Sequence, residues 1–262
     1  MQTIISALHF PWLSMAECLE TAACELQLDG VEFSWHANYS RPHCTREDLE
    51  ALAALRGRHA MHLSAHLWED LAALDTVPAA DSLLHWLGLC GATGVTDFVI
   101  HGGAFANQGE GIARVRRVFE GVLPAFEKAG VVLNLENHYP FTYRDCHELF
   151  STPEEFLQVL NLNSPSLQFC FDTGHGNMSR NTPALLETLA PWLNYVHLAD
   201  NMGIDDNHLA YAQGTVDWAG IFSRLVTSGY HQRLCIEYPV REDRAPFHAC
   251  VAEIQRLWPV GR

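Results

Sequence analysis

The chain of 262 residues carries 31 Asp and Glu against 16 Lys and Arg, a formal charge of −15, and 15 histidines. That balance argues against a protein that grips nucleic acid, because phosphate neutralisation supplies the sequence-independent part of such binding. The only lysine, Lys128, leaves almost no room for Schiff-base chemistry or a lysine phosphate clamp. At 48% hydrophobic and 18% charged, the composition is that of a globular protein with a large core.

No run of about eighteen apolar residues occurs, so no membrane span is expected. The first fourteen residues lack a basic segment and turn polar quickly, so a cytoplasmic rather than secreted protein is expected. The eight cysteines show no CxxC pair, which reads as buried thiols in a reduced compartment.

Taken in chain order, short apolar runs alternate with amphipathic stretches. A strand over 3–8 precedes a helix over 14–28, and a strand over 30–33 precedes a helix over 45–58. Strands over 60–64 and 96–100 are followed by helices over 79–91 and 111–129. The fifth and sixth strands, 131–135 and 167–171, lead into helices over 152–160 and 183–189. The last two, 195–198 and 234–236, lead into helices over 217–227 and 245–257. Thr45-Arg46-Glu47-Asp48 and Thr152-Pro153-Glu154-Glu155 place a hydroxyl at the N-cap and acids in the first turn. Eight strand–helix units in a chain of this length, with no linker and no GxGxxG after the first strand, predict one α/β domain over 1–262, a single (β/α)8 TIM barrel.

In such a barrel the active site is built at the C-terminal strand ends. Strand 3 runs into Ser64-Ala65-His66, and strand 4 into His101-Gly102-Gly103. Strand 5 leads to Glu136-Asn137-His138, and strand 6 to Asp172-Thr173-Gly174-His175. Strand 7 carries His197 ahead of Asp200-Asn201, and strand 8 ends at Glu237-Tyr238-Pro239. A single histidine in such a place is more often a hydrogen-bonded core group. Several carboxylates converging on one mouth are different, because they repel unless a cation lies between them. With few basic residues nearby in sequence, a divalent metal is expected.

The set Glu136-Asn137, Asp172-x-x-His175, His197-Leu198-x-Asp200-Asn201, Asp206-x-His208 and Glu237, with Gly214-Thr215-Val216-Asp217-Trp218, resembles the xylose isomerase-like barrel superfamily. That group embraces sugar (phosphate) isomerases and epimerases, inosose dehydratases and endonuclease IV. The resemblance implies a metal held by Glu136, Asp172, His197 and Glu237. The two glutamates would form the proton-transfer pair, with His175 touching substrate. Resemblance to endonuclease IV implies up to three ions: one on His66, His101 and Glu136, one on the four core residues, and one on His175, Asp206 and His208. A nitrogen-rich shell leans towards Zn²⁺ and a carboxylate-rich one towards Mn²⁺ or Mg²⁺, with Co²⁺ and Fe²⁺ as further options.

His66 and His101 have an alternative reading as donors to substrate hydroxyls, and Asp206 and His208 as a loop-ordering pair. Gly102-Gly103 reads as an anion nest or a tight turn. Trp12 and Trp35 are expected to line the substrate pocket, with Trp68 and Tyr139 beside them, and His9, His36 and His138 to stand in its wall. Lys128 falls on the opposite rim. The arginine that the resembled epimerases often place a few residues after the strand 7 histidine is absent, since His197 is followed by Leu198-Ala199-Asp200-Asn201, which disfavours a ketohexose-type binding mode. Basic residues near the strand ends are few, and Arg144, Arg180, Arg241 and Arg244 read as surface residues, which disfavours a phosphorylated sugar. The leading expectation is a metal-dependent isomerase or epimerase of a sugar or related polyol-ketone. A keto-sugar dehydratase and a hydrolase of a small phosphoester are the alternatives. A small-molecule substrate and, potentially, a homo-oligomer are the expected partners, with no nucleic acid and no membrane.

Overall fold

The computed structural model describes residues 1–36, 39–40, 46–240 and 242–259. Thr45, Arg241 and the His36 side chain, all named above, lie outside the described residues. Eight parallel strands form the barrel: β1 (Gln2–Ser6), β2 (Gly30–His36), β3 (His62–Leu67), β4 (Asp97–Ile100), β5 (Val132–Glu136), β6 (Leu167–Asp172), β7 (Leu193–Leu198) and β8 (Arg233–Ile236). They pair in sequence order, and β1 closes the ring by pairing with both β8 and β2.

Alternate residues of each strand face opposite ways. Outward residues such as Phe33, Phe98, Leu133, Phe169 and Ile236 join the large core beneath the helices. Inward, Ile4, Val99, Cys170, Tyr195 and Cys235 fill the middle of the barrel as a separate cluster. Below that layer, at the N-terminal strand ends, the Arg233 guanidinium donates to Asn194 (2.9 Å), and Asn194 donates to Asp97 (3.1 Å) and Asn134 (2.7 Å). The barrel is therefore plugged at its base and through its middle, which leaves the opposite mouth for chemistry.

The helical layer comprises α1 (Met15–Glu20), α2 (Arg46–Arg56), α3 (Thr76–Thr93), α4 (Gln108–Ala129), α5 (Pro153–Leu160), α6 (Thr173–Ser179), α7 (Thr182–Thr188), α8 (Trp218–Thr227) and α9 (Ala245–Leu257). Ser14 and Glu17 exchange hydrogen bonds as a capping box that starts α1, and the helix expected over 14–28 then widens into a π turn at Thr21–Glu25. The α5 start is as expected, with Pro153 in the first turn and the Glu155 carboxylate accepting from the Ser151 and Thr152 backbones.

Three features differ from the sequence expectation. Strand β3 starts and ends later than expected, so His66 lies inside it rather than after it. The short helix α6, in a TGHGN sequence of poor helix formers, is not among the expected helices; it starts because Asp172 caps it, Oδ1 accepting from His175 N at 2.6 Å. Finally, Ala104–Phe105, Thr142–Tyr143 and Cys146–Glu148 make a small antiparallel sheet on the loops after β4 and β5.

Candidate metal centre

Glu136, at the end of β5, is 1% exposed and lies among four imidazoles. Its Oε2 accepts from Nε2 of His66 (3.1 Å) and of His101 (3.0 Å). Its Oε1 accepts from His197 Nδ1 at 3.1 Å and lies 3.6 Å from His175 Nδ1. His197 Nδ1 is also 2.8 Å from Glu237 Oε2, while its Nε2 donates to Glu32 at 3.0 Å. His197 thus stands between three buried carboxylates.

Around this group sits a second set. His175 donates from Nδ1 to the Asn137 carbonyl (2.8 Å), which directs Nε2 at Asp206 Oδ2 (3.1 Å). His208 likewise donates from Nδ1 to the Glu237 carbonyl (2.6 Å), with Nε2 lying 3.6 Å from the same Asp206 oxygen. Backbone carbonyls therefore fix both rings with Nε2 facing one carboxylate.

The titration pattern follows from this packing. Burial raises the Glu136 and Glu237 carboxyls, but the His197 charge outweighs it; Glu136 falls well below the usual range and Glu237 to about 2. Burial and the neighbouring Glu136 and Glu237 charges lift Asp172 to about 7 against the opposing pull of His175. Burial works against charge on His175, yet Asp172 and Asp206 raise it to about 10. Without a cation, imidazolium protons balance the carboxylates.

A divalent ion fits this donor set. One ligand atom from each of Glu136, Asp172, His197 and Glu237 lies within 4.8 Å of the others, and the same holds for His66, His101 and Glu136. Asp172 spends Oδ1 on the α6 cap, and its Oδ2, like His66 Nδ1, is buried with no hydrogen-bond partner. An unpaired buried carboxylate oxygen is costly unless a cation completes it. His175, Asp206 and His208 meet through Asp206 and are not among the compact groups of the described residues.

The sequence profile of the family described as xylose isomerase-like TIM barrel matches residues 21–257. The chain belongs to this family. An uncharacterized protein of Methanocaldococcus jannaschii, MJ1311, is 31% identical over 115 residues, a stretch covering 42% of this chain and 38% of that protein. A D-tagatose 3-epimerase-like protein superposes over 98% of both chains with a TM-score of 0.83 at 21% identity. A D-psicose 3-epimerase crystallised in the presence of D-fructose aligns over 92% of this chain and 86% of its own, with a TM-score of 0.74 at 16% identity. Endonuclease IV of Thermus thermophilus covers 98% of both, with a TM-score of 0.69 at 21% identity. At these identities the superpositions show the shared fold. No helix among the described residues is long and apolar enough to cross a membrane.

Within this xylose isomerase-like barrel, the nine expected ligand side chains gather at the mouth, seven of them in the compact groups or in direct contact with Glu136. The two tryptophans expected in the pocket do not behave alike. Trp12 is 74% exposed, edge-on to Phe10 beyond β1. Trp35 is corrected: it faces outward from β2, 1% exposed, packed against Trp86 and Phe98 in the helix-side core. The residue one place before it, Ser34, faces the mouth side and accepts from Trp68 Nε1 at 2.8 Å. Trp68 therefore takes the place expected of Trp35, its ring 4.8 Å from that of His66.

Gly102 and Gly103 are explained by close packing. A Cβ on Gly102 would lie 2.2 Å from Phe150, and Gly103 has φ 82° against Asp70. Sequence reasoning missed Glu32, fully buried below His197. Its signal was a carboxylate inside the apolar run Gly30-Val31-Glu32-Phe33. Asp200 was quoted only as part of a motif; it is fully buried and accepts from the Asn201, Gly214 and Val216 backbones and the Trp218 indole, which pins the loop that carries Asp206 and His208.

Proposed function

We propose that the chain is a divalent-metal-dependent epimerase or isomerase of a keto-sugar. The observation that carries this reading is the meeting of two glutamates, Glu136 and Glu237, at Nδ1 of His197 in one buried cluster. A divalent ion held by Glu136, Asp172, His197 and Glu237 supplies Lewis-acid polarisation of a carbonyl and the adjacent hydroxyl. One glutamate, ionised, takes the proton from the carbon next to the carbonyl, leaving an enediolate; the other, having first taken up a proton from solvent, returns it. Return to the opposite face of the same carbon inverts it, and return to the former carbonyl carbon exchanges carbonyl and hydroxyl.

Glu136 is held by four rings, whereas among the described residues the Glu237 carboxylate has His197 alone within ion-pair distance. Glu237 is thus the freer of the two to exchange a proton. His175, anchored to the Asn137 carbonyl, is placed to hold a substrate hydroxyl. The D-psicose 3-epimerase crystallised with D-fructose makes ketohexoses the first substrates to try. Metal-loaded protein incubated with D-fructose and D-tagatose in ²H₂O, followed by NMR, should exchange the proton at C3 or C1. If no substrate proton exchanges, or if Glu136→Gln and Glu237→Gln both exchange normally, the reading is wrong.

The shared orientation of His175 and His208 towards Asp206 supports a second reading, a multinuclear hydrolase of a small phosphoester. Metal stoichiometry separates the two: one or two tightly bound ions favour the epimerase or isomerase, three the hydrolase.

A further inference from the structure

A cavity of about 190 Å³ opens beside His66 and His101, walled by Trp68, Asp70 and Glu148. A second, of about 350 Å³, shares Asp70 and Glu148 and continues to Phe141, Tyr143 and Arg144. The two shared walls make them one groove running outward from the metal centre.

The groove is built rather than incidental. The hairpin that forms its far wall is held by backbone pairing of Glu148 with Ala104 and of Thr142 with His147. Trp68, its near wall, is pinned by its indole N–H to Ser34. Yet three large rings are left open to solvent here: Trp68 (39%), Phe141 (47%) and Tyr143 (58%). Asp70 and Glu148 line the groove with these rings, and Arg144, also in its wall, holds its guanidinium over the Tyr143 ring, 4.9 Å from its centre.

Three arguments narrow the occupant. Aromatic faces flanking hydrogen-bond acceptors match a pyranose ring, which presents C–H faces and an equatorial belt of hydroxyls. Two carboxylates, Asp70 and Glu148, line both cavities against the single Arg144 guanidinium, which lies over the Tyr143 ring, so in a chain of charge −15 the wall disfavours phosphorylated or otherwise anionic groups. A ketose ring over Glu136 would leave the outer 350 Å³ unfilled, and that volume alone lies within the roughly 300–1,000 Å³ of small-molecule pockets.

We propose that this groove is a subsite for the second ring of a neutral ketose glycoside, whose ketose unit lies over the Glu136–His197–Glu237 cluster. The location of the ketose unit rests on the epimerase or isomerase reading; the groove's preference for a second sugar ring does not.

The test uses the metal-loaded full chain and calorimetric titration with D-fructose, maltulose and lactulose. At least one disaccharide should bind about tenfold tighter than fructose, and saturation-transfer NMR should place its aldose ring against protein. In Tyr143→Ala and in Phe141→Ala, both at exposed positions, the ratio of disaccharide to fructose affinity should fall towards one. Equal affinity for fructose and both disaccharides, absence of disaccharide binding, or a ratio that survives the double substitution overturns the proposal. Tight disaccharide binding that depends on Tyr143, without proton exchange at the ketose, upholds the subsite and removes the proposed reaction instead.

Discussion

Replacing Glu136 by glutamine keeps its shape and removes the charge that four imidazoles share. His66, His101 and His197 lie 3.0–3.1 Å from its oxygens, and His175 lies 3.6 Å away. In the metal-free protein, the wild-type Glu136 carboxyl is depressed, so its stabilisation is present above the ordinary carboxyl value and is lost as pH falls. The His197 and His175 values are raised, so their contribution is complete below 6.5 and is lost as pH rises through their folded values, about 10 for His175. Near pH 6 both halves are charged. Removing one partner of a buried pair there costs about 3–5 kcal/mol. Near pH 10 the rings can shed protons, so the penalty should shrink.

Urea unfolding of chelator-treated wild type and Glu136→Gln at pH 6 and near pH 10 measures this directly. The same substitution removes a donor from both compact ligand groups. Metal affinity should fall by more than about a hundredfold, the upper range for losing a group that merely supports a ligand. A stability gap below about 1 kcal/mol at pH 6, or a gap that does not narrow at high pH, would refute the imidazolium cradle. Unchanged metal affinity would refute Glu136 as a ligand.

Glu32 does not reach the mouth, but its bond to His197 Nε2 fixes which ring nitrogen faces the metal position. Glu32→Gln should weaken metal binding about 10–100-fold in a chelator-competition titration; unaltered affinity would dismiss the role. Asp200→Ala strips the acceptor from four donors at 2.9–3.1 Å and should cost about 4 kcal/mol at about 1 kcal/mol each. Hydrogen exchange should then rise across residues 202–214, and a protected loop would contradict the assignment. At the barrel base, burial lowers His62 to about 4 despite the pull of Asp97. The folded protein binds that proton less readily than the unfolded chain, so stability drops by about 3 kcal/mol as pH falls from 6.5 through 4. His62→Gln should flatten that part of the pH–stability curve.

The eight strands were legible because parallel strands covered on both faces read as short apolar runs. Their ends were less so. The run over 60–64 did not predict that β3 continues through His66 and Leu67, because a histidine on the barrel's inner face interrupts the apolar pattern that marks a strand. Facing was the other blind spot. Trp35 and Trp68 have equal claims as aromatic residues near strand ends, and the one-residue alternation that sends Trp35 to the helices is set by register with β3. Glu136, Asp172, His197 and Glu237 were readable because each interrupts or ends an apolar run with a group that burial penalises, whereas Asp206 and His208, in a polar loop, were found only through the family resemblance. Glu32 obeys the same rule and was overlooked because it lies inside its strand rather than at its end. The groove left little trace, since Phe141, Tyr143 and Glu148 come together with Trp68 only through the loop sheet.

The layering of the barrel explains how such a dense charge cluster is tolerated. Between the Arg233–Asp97 base and the mouth stand Ile4, Val99, Cys170, Tyr195 and Cys235, an apolar layer that keeps the two polar ends apart. Glu32 is the exception, a buried carboxylate beside this layer whose Oε1 has no hydrogen-bond partner. Its other oxygen holds His197, so the cost of burying it is offset through the ring that faces Glu136 and Glu237. With the cluster metal-free, His197 carries a proton on each nitrogen to serve three carboxylates. A divalent ion held in part by His197 Nδ1 would leave the Nε2 proton to Glu32, and its charge would replace the proton lost from Nδ1. Five of the 15 histidines and five of the 31 acidic residues thus form one arrangement: carboxylates that need cations, and imidazoles that can either supply the charge or give up a proton to a metal.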